Sequence, residues 1–171
     1  VTRLEPAALL PHRWPMALLD EADLIEAVPT GAVPTGVDPT GAKTAARSAV
    51  LVGRWTVRAE DPWCGAGGVP PPLVLESWLQ ACAVLVCAEL GASASRVFVG
   101  GLRGARVAGP VLAGETVEHR VRLVRGLAAT AVCAGAGMVA GRIVVTVEQA
   151  SVSVESDART AGVRPGGEAR P

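Results

Sequence analysis

Within the apolar run from Leu73 to Ala88 only Glu76, Ser77 and Gln80 are distinctly polar. A carboxylate in such a setting carries a desolvation cost unless it has partners. It is also well placed for general acid or base work, provided that a complementary group lies nearby. Gln80 follows at i+4 on the same helix face, where it can orient the carboxylate or hold a water. Few complements are available, because the chain of 171 residues has two histidines, His12 and His119, and no tyrosine. His119 sits in a strand-like segment and is expected to face solvent or to pack at the sheet surface. Cys64 lies closer in sequence, but an unperturbed thiol titrates near about 8.5 and no activating neighbour is visible. It therefore reads as a packed small thiol. Residues 60–86, EDPWCGAGGVPPPLVLESWLQACAVLV, look like half of an acid–base site.

The elements that must position Glu76 are well punctuated. Pro72 to Leu90 has no internal breaker, and Gly91 supplies a left-handed stop, so the segment is a helix. Being apolar nearly all round, it is either buried or membrane-spanning. Glu76 and Gln80, together with the lack of a second hydrophobic span, favour burial, and Trp78 is expected to pack. Residues 7–15, AALLPHRWP, form a short helical turn, and MALLDEADLIEA (16–27) is strand-like, beginning buried and ending in solvent. Residues 28–42 contain three imperfect PTG repeats, whose proline and glycine spacing is turn chemistry, and read as a loop insertion. Strand character returns in 44–60. Further on, Val117, Val121 and Leu123 alternate with Glu118, Arg120 and Arg122, the period of a sheet with one wet face. Residues 129–155 read as two strands turning near Ala140 and Gly141. The polar segment 156–171 is expected to be a disordered tail. The expected architecture is α+β: a curved antiparallel sheet of about five or six strands around one long central helix, a single domain over 1–155.

Composition narrows the function classes. Sixteen basic residues balance sixteen acidic ones, which gives no general attraction to nucleic acid or to a membrane surface. The first residues lack the basic-then-apolar order of a signal peptide. Cys64, Cys82, Cys87 and Cys133 have no C-x-x-C spacing, as expected for reduced thiols in a cytoplasmic protein. No metal site is expected.

Three motifs carry a resemblance. LPHRWPMALLD (10–20), PPPLVLESWLQ (70–80) and FVGGLRGARVAGPVLAGE (98–115) stand in the order and spacing of the FabZ-type 3-hydroxyacyl-ACP dehydratases. The resemblance spans roughly residues 4–154 and implies the hot-dog fold. Glu76 falls on the family's catalytic carboxylate. The family's histidine, from a G-H-F-P-G loop, is absent: Pro62 or a short deletion takes its place. The loop residues that remain, Trp63, Cys64 and Gly65, are implied to line the substrate. His12, within the L-P-H-R segment, is implied to be structural. Pro70, Pro71 and Pro72 carry no N–H, which weakens the helix start as an oxyanion-binding surface.

In this family two subunits pair and share sites, so a homodimer would hold two carboxylates and no base. The chain is most similar to a histidine-lacking subunit of a dissociated (type II) polyketide or polyene synthase. Its implied partners are a histidine-bearing homologous dehydratase subunit and an acyl carrier protein. The carrier's phosphopantetheine holds the substrate, and no other cofactor is implied. Arg96, Arg103 and Arg106 are candidates for carrier docking, within a stretch that also holds Arg120, Arg122 and Arg125. Two alternatives remain open: a non-catalytic stabilising or carrier-docking subunit, and a homodimer with changed activity such as an isomerase or a thioesterase.

Overall fold

The computed structural model describes residues 1–26, 49–90, 96–127 and 130–155. The PTG repeats and the segment 156–171 lie outside them. In chain order the elements are β1 (Thr2–Leu4), α1 (Pro6–Leu9), β2 (Glu21–Glu26), β3 (Ala49–Thr56), α2 (Pro71–Leu90), β4 (Arg96–Arg103), β5 (Arg106–Val107), β6 (Thr116–Leu127), β7 (Thr130–Val139) and β8 (Arg142–Glu155). All eight strands belong to one antiparallel sheet, ordered β1-β2-β3-β6-β7-β8-β4, with β5 also on β8. Five of the six long strands, β2, β3, β6, β7 and β8, are those the sequence pattern marks, and β4 is the sixth. The other two, β1 and β5, are three and two residues long, too short to show a period of two.

Helix α2 lies against the sheet, and every residue from Ala81 to Cys87 is at most 2% exposed. Burying a Val or Leu side chain contributes about 1.5–3 kcal/mol, so this run dominates the core. Its length and mean hydropathy of 1.5 would suit a membrane span, but 61% of that window is buried inside the protein, as in a core helix. Close approach is possible because Gly53 of β3 faces Ala81: a Cβ at Gly53 would lie 3.3 Å from the alanine's own Cβ. With few aromatics available, Trp55 of β3 and Trp78 of α2 are the largest side chains in the core, both fully buried. The β7–β8 connection is a two-residue turn, since Val139 pairs with Arg142. Ala140 (φ 46°) and Gly141 (φ 82°) both adopt left-handed backbone there, as a type I′ hairpin requires.

Residue 119 departs from expectation. His119 is fully buried because it shares the parity of Val117 and Val121, and so faces the helix rather than solvent. Ser77 Oγ donates to Val74 O at 2.9 Å and lies 2.8 Å from His119 Nε2. A hydroxyl has one proton to give, so Nε2 carries the hydrogen and Nδ1 keeps its lone pair, which has no partner. A Cβ on Gly137 would come within 2.6 Å of that Nδ1, so only glycine fits beneath the ring. Burial lowers the His119 pKa from 6.5 to about 3.

The unfolded chain therefore binds a proton at residue 119 that the folded chain rejects between those two values. Stability from this group is intact above about pH 6.5 and declines as pH falls toward 3. In urea titrations, His119→Leu should be less stable than the native protein at pH 7. The gap should narrow by about 2 kcal/mol at pH 5, since each pH unit is worth ~1.4 kcal/mol. A gap that is constant with pH would contradict the buried neutral ring.

Candidate active site

Between α1 and β2 the chain folds into a compact loop. Arg13 closes it by donating to the carbonyls of Leu10 and His12, both at 2.8 Å. Met16 and Ala17 N–H groups bond to Arg13 O at 2.8 and 3.0 Å, and Leu18 enters the core with no exposure. One side chain makes the hydrogen bonds that hold the loop to α2. Gln80, 2% exposed, accepts from Leu18 N at 2.9 Å through Oε1 and donates to Met16 O at 2.8 Å through Nε2. The same Nε2 also donates to Glu76 Oε1 at 3.1 Å. Gln80 thus bonds Glu76 one turn away at i+4 and anchors a loop more than sixty residues away in sequence.

That anchoring brings His12 to the carboxylate, with Nε2 3.6 Å from Glu76 Oε1 and each side chain about a third exposed (27% and 32%). The two groups share a cavity of about 220 Å³ with Leu79, Gln80 and Ala83 of α2 and Val97 and Val99 of β4. Three of its sides are therefore polar helix face, apolar helix face and apolar strand. Strand β4 ends the sheet, and among the described residues its outer edge has no partner. Phe98, Val99 and Leu102 on it are 52%, 43% and 42% exposed. A greasy cavity with one oriented carboxyl group suits acid–base chemistry on an apolar chain.

No family model matches the chain. The 3-hydroxyacyl-ACP dehydratase FabZ of Myxococcus xanthus (strain DK1622) is 30% identical over 155 residues, covering 90% of this chain and 92% of that one. The chain belongs to the FabZ-type dehydratase family. Among solved structures, the dehydratase heterocomplex ApeI:P from Xenorhabdus doucetiae superposes with a TM-score of 0.65 at 19% identity, over 90% of this chain and 92% of that one. A phenylacetic acid degradation-related protein from Ralstonia eutropha JMP134 gives a TM-score of 0.50 at 24% identity, over 61% and 76% of the two chains. These neighbours establish the hot-dog fold.

In this FabZ-type chain the loop that should carry the family histidine is built differently. Asp61 caps it, accepting from Arg58 N at 2.9 Å through Oδ2 and from Cys64 N at 2.9 Å through its carbonyl. Gly65 and Gly68 bond to each other, and Val69 N bonds to Val111 O at 2.8 Å. Gly68 has φ +89°, and a Cβ there would strike Val111 O. Pro62 is exposed, and Trp63, Cys64 and Gly65 lie in this braced loop, outside the lining of the Glu76 cavity. Within one chain the structure does not bring them to the carboxylate.

The arginines also separate. Arg96 pairs with Glu155 at 3.6 Å, and Arg106 is exposed on β5. Arg103 instead lines a surface groove of about 540 Å³ with Arg122, Arg125, Val124, Val132, Glu148 and Gln149. Residues 122 and 125 would face opposite sides of a regular strand. A bulge between Leu123 and Arg125 turns both into the groove. A second bulge, opposite Cys133 to Gly135, does the same for Glu148 and Gln149. The sequence pattern gives the arginines but not the bulges. His12 was the other miss: L-P-H-R alone does not reveal that Gln80 draws it to Glu76.

Removing Gln80 should loosen this assembly more than changing the carboxylate. Gln80→Leu leaves a buried N–H and a carbonyl unpaired, and should cost about 1–3 kcal/mol in chemical unfolding. Glu76→Gln, at a third exposed, should cost less than about 1 kcal/mol. Equal effects would deny Gln80 its anchoring role.

Proposed function

We propose that this chain is one subunit of a heterodimeric 3-hydroxyacyl-ACP dehydratase of polyketide- or fatty-acid-type chain assembly, acting in the cytoplasm. The observation that carries the reading is the half-site itself. Glu76 is bonded by Gln80 in a cavity with apolar walls from α2 and β4, beside a strand edge that has no partner among the described residues, while the family's loop histidine is missing. Family membership supports the reaction class, and the likeness to a dehydratase heterocomplex supports the shared site.

In this reading a homologous subunit adds along the β4 edge and supplies the histidine. That base takes the proton from Cα of the thioester, and the C–H electron pair becomes the new C=C bond. The Cβ–O bond breaks, and the protonated Glu76 carboxyl gives its proton to the departing hydroxyl, which leaves as water. Leu79, Ala83, Val97 and Val99 take the acyl chain, and the substrate arrives on a carrier's phosphopantetheine. Trp63, Cys64 and Gly65 line the opposite site of the dimer, where this chain contributes no base. The groove formed by Arg103, Arg122 and Arg125 receives the acidic face of the carrier. Arg96 and Arg106, outside that groove, are secondary.

The test is elimination of water from a 3-hydroxyacyl carrier substrate by the complex of this chain with a histidine-bearing homologue. Glu76→Gln should lower kcat by about 10²–10⁴, the usual worth of a general acid or base. Unchanged turnover would leave this chain a stabilising or docking role. Turnover by this chain alone would point to a self-sufficient homodimer with changed chemistry. In the same assay, Arg122→Glu with Arg125→Glu should raise KM about tenfold or more for carrier-bound substrate, as expected for electrostatic docking. KM for a free pantetheine thioester should not change; an equal rise for both would place the groove outside carrier docking.

A further inference from the structure

His12 was expected only to support the fold, yet it meets the catalytic carboxylate. We infer that His12 is a positioning residue that works with Gln80 to decide which oxygen of Glu76 carries the acid proton. This rests on the dehydratase reading above and assigns a new residue to it.

The argument begins with the ring's other nitrogen. His12 Nδ1 is buried and has no partner among the described residues. An unpaired buried N–H is rarer and costlier than an unpaired acceptor, so Nδ1 keeps its lone pair and the hydrogen sits on Nε2. That N–H faces Glu76 Oε1 at 3.6 Å, a few tenths of an ångström beyond hydrogen-bond length. Contacts of this kind tighten when substrate is bound. Gln80 Nε2 already donates to the same oxygen at 3.1 Å. Both donors therefore converge on Oε1, and Oε2 has no protein partner among the described residues.

Two donors on one oxygen fix its character. Once the His12 contact tightens, both lone pairs of Oε1 are engaged, and in the protonated carboxyl Oε1 is the carbonyl oxygen. The acid proton then sits on Oε2, the oxygen free to meet the substrate hydroxyl. Once that proton has left with the departing water, the same two donors hold the resulting carboxylate. No covalent step passes through His12, whose proton stays on Nε2 throughout.

The surroundings leave Nε2 few polar partners. Around His12 the cavity walls from α1 (Pro6, Ala7) and β4 (Val97, Val99) are apolar. Arg13, beside it in the loop, spends its guanidinium on the carbonyls of Leu10 and His12. Among these neighbours, Glu76 is the group left for Nε2 to address.

A glutamine can place an amide N–H near the position of Nε2, whereas leucine fills the space without a donor. In the complex with the histidine-bearing homologue, His12→Leu should lower kcat about tenfold with KM unchanged, the worth of one hydrogen bond to a charged group. His12→Gln should recover most of that loss. A purely structural role would not be restored by a donor. In this chain alone, ring ¹⁵N shifts should report the Nε2–H tautomer for His12 and should move in Glu76→Ala.

If His12→Leu keeps the native kcat while Glu76→Gln abolishes turnover, the inference falls and the dehydratase reading stands. If Glu76→Gln also leaves turnover intact, the dehydratase reading itself falls. The ¹⁵N shifts then decide the pairing, and a ring insensitive to Glu76→Ala overturns it.

Discussion

Everything around the candidate site depends on how one buried amide is spent. Gln80 uses its carbonyl oxygen on Leu18 N–H and its NH₂ on Met16 O and Glu76 Oε1. Leaving the buried Leu18 N–H unpaired would cost about 1–3 kcal/mol, and the same amide reaches Met16 and Glu76, so the loop, the helix and the carboxylate are specified together. Remove the amide and, among the described residues, no hydrogen bond ties residues 16–18 to α2, which leaves only the packing of Leu18 in the core. Because Gln80 is itself locked in the core, the carboxylate inherits the rigidity of the helix. His12 then reaches Glu76 as a consequence of where the loop is pinned.

The second constraint is that the cavity is bounded on one side by a sheet edge. Edge strands with exposed apolar residues are liabilities unless something covers them. Here β4 presents Phe98, Val99 and Leu102, and Val97 and Val99 also line the Glu76 cavity. Covering the edge and completing the site are thus the same geometric act. The proposed shared site follows from that coincidence together with the loop at 61–69, which is braced by its own backbone bonds and carries no base. In the proposed reading, a subunit built this way keeps the acid half of the reaction and leaves the base half to another chain.

Much of this was legible in the residues. The unbroken apolar run and Gly91 mark α2, and the helix is found at Pro71–Leu90. The alternation around Val117 and Val121 marks β6, and the turn at Ala140–Gly141 is where the pattern places it. Parity also contains the answer for His119, since 117, 119 and 121 share a face and all three are buried. Other features were not readable. The bulges that bring Arg122 and Arg125 to one side depend on register between strands, not on the strand's own pattern. The meeting of His12 and Glu76 depends on two backbone bonds from Gln80 across more than sixty residues, for which a linear sequence holds no local signal.

The account is tested most directly by native mass measured on this chain alone and after mixing with a FabZ-type homologue that carries the loop histidine. It predicts a 1:1 heterodimer that forms at the expense of any self-association. A homodimer that persists unchanged in the presence of the homologue would contradict the shared site, however well Glu76 is placed.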